Sequence, residues 1–319
     1  MTHCKFHITE TPNALSRAAG DEIAVMTWNI GYANLGATSD FFSDGGKAWR
    51  GASQTDVLEN LEGIKSQLGM ANCDVFLLQE LARGNIETFG ADTLSAVRGL
   101  SPGWFGFSAS INPKWMPPPI RLVHGLGSMS RVSPLEAETI DLPSDGSRIL
   151  GLIAQNYHAQ VLRFASEGGG KSWTLINIHL AAFDEGANAR REQLAAVFEL
   201  AQAEAATGAD VIIGGDWNLR LTDTNFPYTT LEEHLFWIHD FPMEMLPEGW
   251  QIVIDPTTPT VRTLERSYSR GENYTTIIDG FIVSPGVEVL EVSTTDLDFQ
   301  PGDHQPVRAR FRHSAAPHD

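Results

Sequence analysis

Residues 211–218 read VIIGGDWN, an apolar run that stops at two glycines and then places Asp216 and Asn218 two positions apart. A β-branched stretch that ends at Gly-Gly predicts a buried strand running into a tight turn. Because side chains alternate across a strand, residues two positions apart leave it on the same face. A carboxylate beside a carboxamide can orient a water molecule together with a metal ion or a phosphate oxygen. Asp and Asn are also frequent turn residues, so this segment alone does not establish a catalytic site.

The same arrangement, an apolar strand followed by an acid, an amide or an imidazole, recurs along the chain. A predicted strand over 23–28 precedes Asn29, and the apolar run at 75–78 precedes Gln79 and Glu80. The segment IIDGFIV (277–283) carries an aspartate, and PGDHQPV (301–307) carries an Asp-His pair before a final strand. The polar residues at predicted strand ends are Asn29, Glu80, His179, Asp216, Asn218, Asp279, Asp303 and His304.

Between the strands, only two segments have a clear helical spacing of apolar residues. These are 55–68, and 185–206, which is rich in alanine. The segment 101–121 holds many Pro, Gly and Trp residues and is predicted to be a long loop. Strand pairs with few helices favour an α+β fold or a two-sheet sandwich with helices outside, rather than a regular βαβ repeat.

The chain is strongly acidic, with 40 Asp and Glu against 22 Lys and Arg and a net charge of −18. Lysines number five, and no Lys/Arg cluster is visible. Nucleic-acid binders normally present a basic surface to the phosphate backbone, so this balance argues against a polymeric polyanion without excluding a local basic groove. It favours a small phosphorylated substrate whose charge is neutralised by metal at the site.

No apolar run reaches the length of a signal-peptide core or of a membrane span. We therefore expect a cytoplasmic protein without an integral membrane segment, although a removed leader stays open. The sequence does not indicate the oligomeric state.

The residue types at the strand ends suit metal-assisted phosphoester hydrolysis. Ligation by oxygen alone favours a hard cation, Mg²⁺ before Mn²⁺ or Ca²⁺. Glu80 would bind the ion and Asn29 would support it, while Asp216 and Asn218 would position and activate a water molecule. One histidine would take the proton, and the other would steady the phosphate or protonate the leaving oxygen. Asp279 beside an imidazole would set its tautomer.

At these positions the sequence resembles the endonuclease/exonuclease/phosphatase superfamily of DNase I-like metallohydrolases. The matching segments run in family order from about residue 22 to 312: TWN (27–29), LLQE (77–80), INIHL (176–180), GGDWN (214–218), IIDGF (277–281) and GDHQPV (302–307). In the family, GDFN is usual where this chain has GDWN, and SDH where it has GDH. The resemblance divides the chain into an N-terminal extension (1–21), one domain (22–312) and a C-terminal tail (313–319).

The resemblance implies a four-layer α/β sandwich in which two packed, mainly antiparallel β-sheets are flanked by helices. It also implies a divalent metal and direct attack of water on a phosphoester. By matching positions it assigns metal binding to Asn29 and Glu80, with Asp303 in support. It assigns the orientation of water and phosphate to Asp216 and Asn218, the base to His304 with Asp279, and the phosphate or the leaving group to His179.

Substrate contacts are expected from aromatic and basic residues in the segments that surround the mouth of the site. Trp49 and Trp115 lie in Gly/Pro-rich stretches, where an indole could stack on a base or hold a quaternary ammonium group. Arg131 is a candidate phosphate contact. Trp28 and Trp217 adjoin site residues, so strand alternation should direct them into the core.

Three classes of function remain open on the sequence. The first is a metal-dependent phosphodiesterase or phosphatase for a small or lipid-derived phosphoester, including a sphingomyelinase-like phospholipid hydrolase. The second is a nuclease on DNA or RNA that uses the same residues. The third is a non-catalytic binding module, which the intact set of site residues disfavours.

Overall fold

The structure is a computed structural model that describes residues 3–4, 19–101, 103–144, 146, 148–149, 152–166, 170–182 and 185–314. The strands are β1 His3–Cys4, β2 Glu22–Asn29, β3 Val75–Ala82, β4 Trp104–Ile111, β5 His124–Ser130, β6 Glu136–Asp141, β7 Arg148–Ile149, β8 Ile153–Ala154, β9 His158–Phe164, β10 Trp173–His179, β11 Asp210–Asp216, β12 Gln251–Val253, β13 Val261–Arg262, β14 Thr275–Thr276, β15 Asp279–Val283, β16 Val287–Thr294 and β17 Val307–His313. The α-helices are α1 Gln54–Met70, α2 Thr93–Leu100 and α3 Asn188–Ala206.

Most strands belong to two large sheets. One has seven strands in the order β1-β6-β9-β10-β11-β15-β12, and the other has six in the order β16-β17-β2-β3-β5-β4. Each sheet contains one parallel pair, β10–β11 in the first and β2–β3 in the second, and its other pairs are antiparallel. The prediction of two mainly antiparallel sheets is therefore confirmed.

Three apolar clusters separate four layers. Residues such as Leu77 of β3 and Ile212 of β11 fill the space between the sheets. On the outer side of the seven-stranded sheet, α3 packs through residues such as Val197. On the outer side of the six-stranded sheet, α1 and α2 pack through residues such as Ile64 and Val97. The layers are thus helix, sheet, sheet and helix, because each strand alternates between an inner and an outer apolar face.

Local sequence predicted part of this architecture incorrectly. The segment 101–121 is not one loop, because β4 Trp104–Ile111 forms the edge of the six-stranded sheet. Trp104 and Phe105 are buried there, and aromatic residues suit a half-buried strand despite the flanking Pro and Gly. The helix α2 was not predicted, whereas α1 and α3 match the predicted helices closely. Within the described parts of the chain, no helix combines the length and the apolar character that crossing a bilayer requires.

Candidate active site

The strand ends of the seven-stranded sheet bring three site residues into one row. His179 of β10 lies in register with Asp216 of β11, and Asp216 lies in register with Asp279 of β15. Nε2 of His179 is 3.5 Å from Oδ2 of Asp216 and 3.9 Å from Oε1 of Glu80. Residues far apart in the chain therefore converge because neighbouring strands end at the same edge of one sheet.

Asp216 is held from two sides at this edge. Its Oδ1 accepts a hydrogen bond from the backbone N–H of Asn218 at 2.9 Å, and its Oδ2 accepts one from Nδ2 of Asn29 at 2.9 Å. Asn218 has a left-handed φ of 48°, and its own Nδ2 donates to the carbonyl of Leu180. The turn after β11 is thus folded back so that the Asp216 carboxylate is fixed in a single orientation.

His304 forms a buried acid–base pair with Asp279. Nδ1 of His304 is 2.9 Å from Oδ2 of Asp279, while its Nε2 is 3.7 Å from Oδ2 of Asp216. Burial acts to lower the pKa of His304, but Asp279, Asp216 and Asp303 outweigh it and raise that pKa well above its usual value. The indole N–H of Trp28 donates to the His304 carbonyl, which fixes the backbone beneath the ring. This geometry suits a general base whose tautomer is set by Asp279.

Glu80 reaches the site through an irregularity in β3. Strict alternation would send its side chain after Leu78, toward α1 and α2. However, Glu80 has a left-handed φ of 57°, and the β3–β5 register shifts between Leu78 and Leu81. A non-glycine residue with positive φ costs of order 1–3 kcal/mol and persists where the surrounding structure imposes it. This strained residue lies within 4 Å of His179, so the strain occurs at the candidate site.

The carboxylates at the site fit a divalent cation. Among the described side chains, Oε2 of Glu80 and Oδ1 of Asp303 are buried without a hydrogen-bond partner, as is Oδ1 of Asp279. Burial, opposed by His304, raises the pKa of Asp303 from 3.8 to about 6, with the Glu80 charge adding to the rise. Buried carboxylate oxygens without donors are costly unless a cation satisfies them. The unpartnered oxygens of Glu80 and Asp303 are therefore suitable metal ligands.

A second group of possible ligand atoms comes from Asp216, Asp279 and His304, which lie within 4.8 Å of one another. Because Asp279 and His304 already bond to each other, we favour the Glu80 side for the metal. Asn29 could add only its Oδ1, which also accepts from the N–H of Gly31. Gly31 itself has φ 47°, and a Cβ there would lie 2.9 Å from Oδ1 of Asp303. The close approach of this backbone to Asp303 thus requires glycine.

The site residues line a pocket of about 90 Å³. Seven of the eight predicted strand-end residues contribute to its wall, and Asp279 lies behind His304. The seven are Asn29, Glu80, His179, Asp216, Asn218, Asp303 and His304.

Three polar residues of this pocket were missed from sequence, because each lies in a loop or a short strand without a local pattern. Tyr32 and Asp44 come from the segment after β2, and Arg262 comes from β13. Burial raises the pKa of Asp44 from 3.8 to about 7, and burial lowers the pKa of Arg262 from 12.5 to about 10. Arg262 donates to the carbonyls of Leu35, Gly36 and Ser39, so it fixes the loop that carries Tyr32 and Asp44.

The three residues expected to contact substrate do not line this pocket. Trp49 is exposed and lies beside Arg50, whose guanidinium stacks over it, and Trp115 is exposed in the loop after β4. Arg131 follows β5, and its N–H donates to the carbonyl of Asp74, just before β3 begins. It therefore lies at the opposite end of β3 from Glu80. Trp28 and Trp217 are fully buried, which confirms their placement in the core.

Comparison with known proteins identifies the family to which this constellation belongs. The model of the Endonuclease/Exonuclease/phosphatase family matches residues 26–304, which is most of the chain. A comparison with curated proteins found no match.

Solved structures share the fold at low sequence identity. An endonuclease/exonuclease/phosphatase from Beutenbergia cavernae DSM 12333 is 18% identical with a TM-score of 0.66, over 95% of this chain and 74% of that chain. ANGEL2, a 2',3'-cyclic phosphatase in complex with adenosine-2',3'-vanadate, is 15% identical with a TM-score of 0.58, over 92% and 96%. D. rerio TDP2, complexed with a single-strand DNA product, is 17% identical with a TM-score of 0.56, over 91% and 99%. By the family match and the fold, this chain belongs to the endonuclease/exonuclease/phosphatase family of DNase I-like hydrolases.

Proposed function

We propose that the protein is a divalent-metal-dependent phosphodiesterase that cleaves a phosphoester by direct attack of an activated water molecule. The observation that carries the proposal is the convergence of two functions in one 90 Å³ pocket. One is the His304–Asp279 pair, a base with its orienting carboxylate. The other is the unpartnered oxygens of Glu80 and Asp303, which are donors for a hard cation.

Some of the site's side chains would act on the attacking water molecule, and others would act on the phosphate. Oδ2 of Asp216 lies 3.7 Å from Nε2 of His304 and 3.5 Å from Nε2 of His179, so both imidazoles face one carboxylate oxygen. These separations are too long for strong hydrogen bonds, so each Nε2 is left available to a water or phosphate oxygen bound beside Asp216. Water held by Asp216 and Asn218 would pass its proton to Nε2 of His304. His179 would donate to a phosphoryl oxygen or to the leaving oxygen.

The metal would be held by Glu80 and Asp303, with the Asn29 carboxamide in support. Mg²⁺, or Mn²⁺ or Ca²⁺ in its place, would polarise a phosphoryl oxygen and neutralise charge that develops in the transition state. Family enzymes generally depend on a divalent metal, and oxygen ligands favour Mg²⁺ among these ions.

A small or lipid-derived phosphoester is favoured over nucleic acid by the charges around the site. Among the described residues that line the pocket, Arg262 is the one Lys or Arg. Its guanidinium is buried and committed to backbone carbonyls, so it offers no contact to a polymer backbone. Nucleic-acid binding draws most of its affinity from exposed cations, and the chain carries a net charge of −18.

Hydrolysis of bis-p-nitrophenyl phosphate with Mg²⁺ and with EDTA tests the proposal. We expect turnover that requires metal and that falls by at least about 10²-fold in Glu80→Gln, because the variant removes a metal ligand charge. Glu248→Gln, which changes an exposed glutamate, is the matched control and should retain wild-type turnover. Full activity of Glu80→Gln in chelated buffer would overturn the proposed mechanism.

The substrate class is tested by offering plasmid DNA at low salt, phospholipid vesicles and small phosphodiesters side by side. We expect kcat/KM to be highest for the small or lipid-derived esters. Rapid nicking of plasmid DNA, faster than any small ester is cleaved, would instead assign a nuclease.

A further inference from the structure

A second cavity opens beside the metal end of the site. Its volume is about 340 Å³, against about 90 Å³ for the pocket that holds the catalytic residues. The two share five lining residues, which are Tyr32, Phe41, Glu80, His179 and Ala182. The smaller space suits a phosphoryl group, and the larger space has room for an organic substituent of ring size.

The shared wall places this cavity on one side of the reaction. Glu80 and His179 line both spaces, whereas Asp216, Asn218 and His304 line only the smaller one. Because attacking and leaving oxygens lie roughly in line across the phosphorus atom, water activated by His304 drives the leaving oxygen away from that histidine. The leaving group then departs toward Glu80 and His179, and its carbon skeleton enters the larger cavity.

The wall of the larger cavity is mainly apolar. Aromatic and aliphatic side chains come from several segments of the chain: Phe42, Ile111, Leu122, Tyr157 and Leu180. A cavity of this size whose wall is mainly apolar and also carries polar groups is typical of sites that bury an organic ligand.

The polar groups of the cavity do not provide for an anion. Among the described residues that line it, none is a lysine or an arginine, and two are glutamates, Glu80 and Glu87. Glu87 and His124 both line the cavity; Oε2 of Glu87 is 3.2 Å from Nε2 of His124, and neither atom makes a hydrogen bond with another described residue. Tyr32 stacks on the His124 ring with 4.4 Å between centroids. A leaving group with a further phosphate or a carboxylate would approach the Glu87 carboxylate and would find no lysine or arginine in this cavity wall to pair with.

Resting on the proposed function, we propose that this cavity holds the leaving alcohol and selects an uncharged, mainly apolar one over one that carries an anion. In the step itself, the water oxygen bonds to phosphorus, and the bond from phosphorus to the leaving oxygen breaks. The water proton passes to His304, and the leaving oxygen departs as an alcohol after taking a proton from His179 or solvent. The products are a phosphomonoester and a neutral alcohol.

A matched pair of chromogenic substrates tests the selection. One is the methyl phosphodiester of 4-hydroxy-3-nitrobenzamide, and the other is the methyl phosphodiester of 4-hydroxy-3-nitrobenzoate, so the leaving groups differ by a carboxamide against a carboxylate. The ratio of kcat/KM is divided by the ratio of their hydroxide-catalysed rates, which removes the difference in intrinsic reactivity. We expect a corrected preference of about tenfold or more for the carboxamide, because the carboxylate approaches Glu87 in a poorly solvated space.

Variants that change the charge of the cavity wall test whether that charge causes the preference. Glu87→Gln removes the negative charge, and Ser43→Arg adds a cation at a partly exposed lining position. Each should reduce the corrected preference about threefold or more, since each makes the potential in the cavity more positive. Ser43→Gln adds a neutral side chain at the same position and should leave the ratio unchanged.

Binding in EDTA supplies a readout that does not depend on turnover. Ligand-observed NMR at about pH 5, where the nitrophenol is mostly protonated and the benzoate is ionised, should detect 4-hydroxy-3-nitrobenzamide on the wild type more strongly than the benzoate. Leu122→Trp, which fills part of the cavity, should weaken that signal.

The outcomes separate the two proposals. Metal-dependent cleavage of both esters, with no corrected preference and no response to Glu87→Gln or Ser43→Arg, would overturn the cavity assignment and leave the phosphodiesterase intact. Absence of metal-dependent cleavage of either ester and of bis-p-nitrophenyl phosphate would overturn both.

Discussion

The carboxamide of Asn29 donates a hydrogen bond to Oδ2 of Asp216 across 2.9 Å, and this bond joins the two β-sheets at the active site. Asn29 ends β2 of the six-stranded sheet, and Asp216 ends β11 of the seven-stranded sheet. The position of the Asp216 carboxylate relative to Glu80, on the other sheet, therefore depends on how the sheets pack. Asn29, which donates this bond, is 2% exposed.

Replacing Asn29 with Asp should be more damaging than replacing it with Ala. Asn29→Asp puts a second carboxylate beside Asp216 in place of a donor, so both repulsion and a lost hydrogen bond oppose the native arrangement. We expect kcat/KM to fall about 10²–10³-fold in Asn29→Asp and less in Asn29→Ala, measured with saturating Mg²⁺. A smaller loss in Asn29→Asp than in Asn29→Ala would show instead that Asn29 acts mainly through its side-chain oxygen on the metal, which Asp retains.

Because Glu80 has a left-handed backbone conformation, we expect Glu80→Gly to be more stable than Glu80→Ala, the reverse of the usual order in a strand. In an ordinary strand, glycine is less stable than alanine by roughly 0.5–1 kcal/mol. At φ 57°, a Cβ costs about 1–2 kcal/mol, so Glu80→Gly should unfold at a higher denaturant concentration than Glu80→Ala. Both variants should be inactive, because both lack the carboxylate. Greater stability of Glu80→Ala would show that the left-handed conformation is absent in solution.

The Asp279–His304 pair predicts a shift of the acid limb of the pH–rate profile. Neighbouring carboxylates, Asp279 first, outweigh burial and raise the pKa of His304 well above its usual value, so the free base forms only as pH rises. Asp279→Asn removes the largest of these charges and should move the acid limb to lower pH. The plateau should also drop by about 10²–10⁴-fold because the imidazole loses its tautomer control. An unmoved acid limb would exclude His304 as the base.

Buried acids predict that metal stabilises the fold more at high pH than at low pH. Burial raises the pKa of Asp303 from 3.8 to about 6 and that of Asp44 from 3.8 to about 7. The folded metal-free chain therefore binds more protons than the unfolded chain between pH 4 and 7, and its free energy of unfolding falls as pH rises through that window.

Mg²⁺ competes with those protons for the carboxylates. The difference in Tm between Mg²⁺ and EDTA should thus be larger at pH 8 than at pH 5. Asp303→Asn should raise the Tm in EDTA at pH 8 and reduce the gain from Mg²⁺. A gain in Tm that is the same at both pH values would contradict this account.

Replacing Trp28 and replacing Trp217 should lower the free energy of unfolding by similar amounts but lower activity by different amounts. The indole of Trp28 donates to the His304 carbonyl at 3.0 Å, and the indole of Trp217 donates to the Gly280 carbonyl at 3.2 Å. Replacing either with Phe removes one donor from a buried carbonyl and leaves a small cavity, costing about 2–4 kcal/mol in each case. Trp28→Phe should lower kcat more, because it frees the backbone of the base, and denaturant melts together with kinetics would separate the two effects.

The ends of the strands could be predicted from sequence, because alternating side chains and apolar runs are local features. Asp216 and Asn218 follow the run at 211–215, and His179 follows a run of the same kind, so short-range pattern identified these residues. Glu80 could be named for the same reason, but its direction could not. Its side chain enters the site only through a left-handed residue and a register shift against β5, which depend on the partner strand.

Sequence patterns did not predict the structure where it depends on a contact between residues that are distant in the chain. Trp104 and Phe105 form part of a strand because β5 covers one edge, which the nearby Pro and Gly do not reveal. Asn177, two residues before His179 on β10, is fully buried and donates to the carbonyls of Leu78 and Gly127 between the sheets.

The order and chemical type of the strand-end residues could be predicted from the sequence. The alternation of a strand, and its end at a glycine or a polar residue, depend on only a few neighbouring residues. The strand-end residues were enough to identify the family and the sandwich. Only the tertiary structure decided which residues share a wall. The Asn29–Asp216 bond, the exclusion of Arg131 and the cavity lined by Glu87 and His124 arise from packing two sheets and their loops. These are contacts between segments tens to hundreds of residues apart.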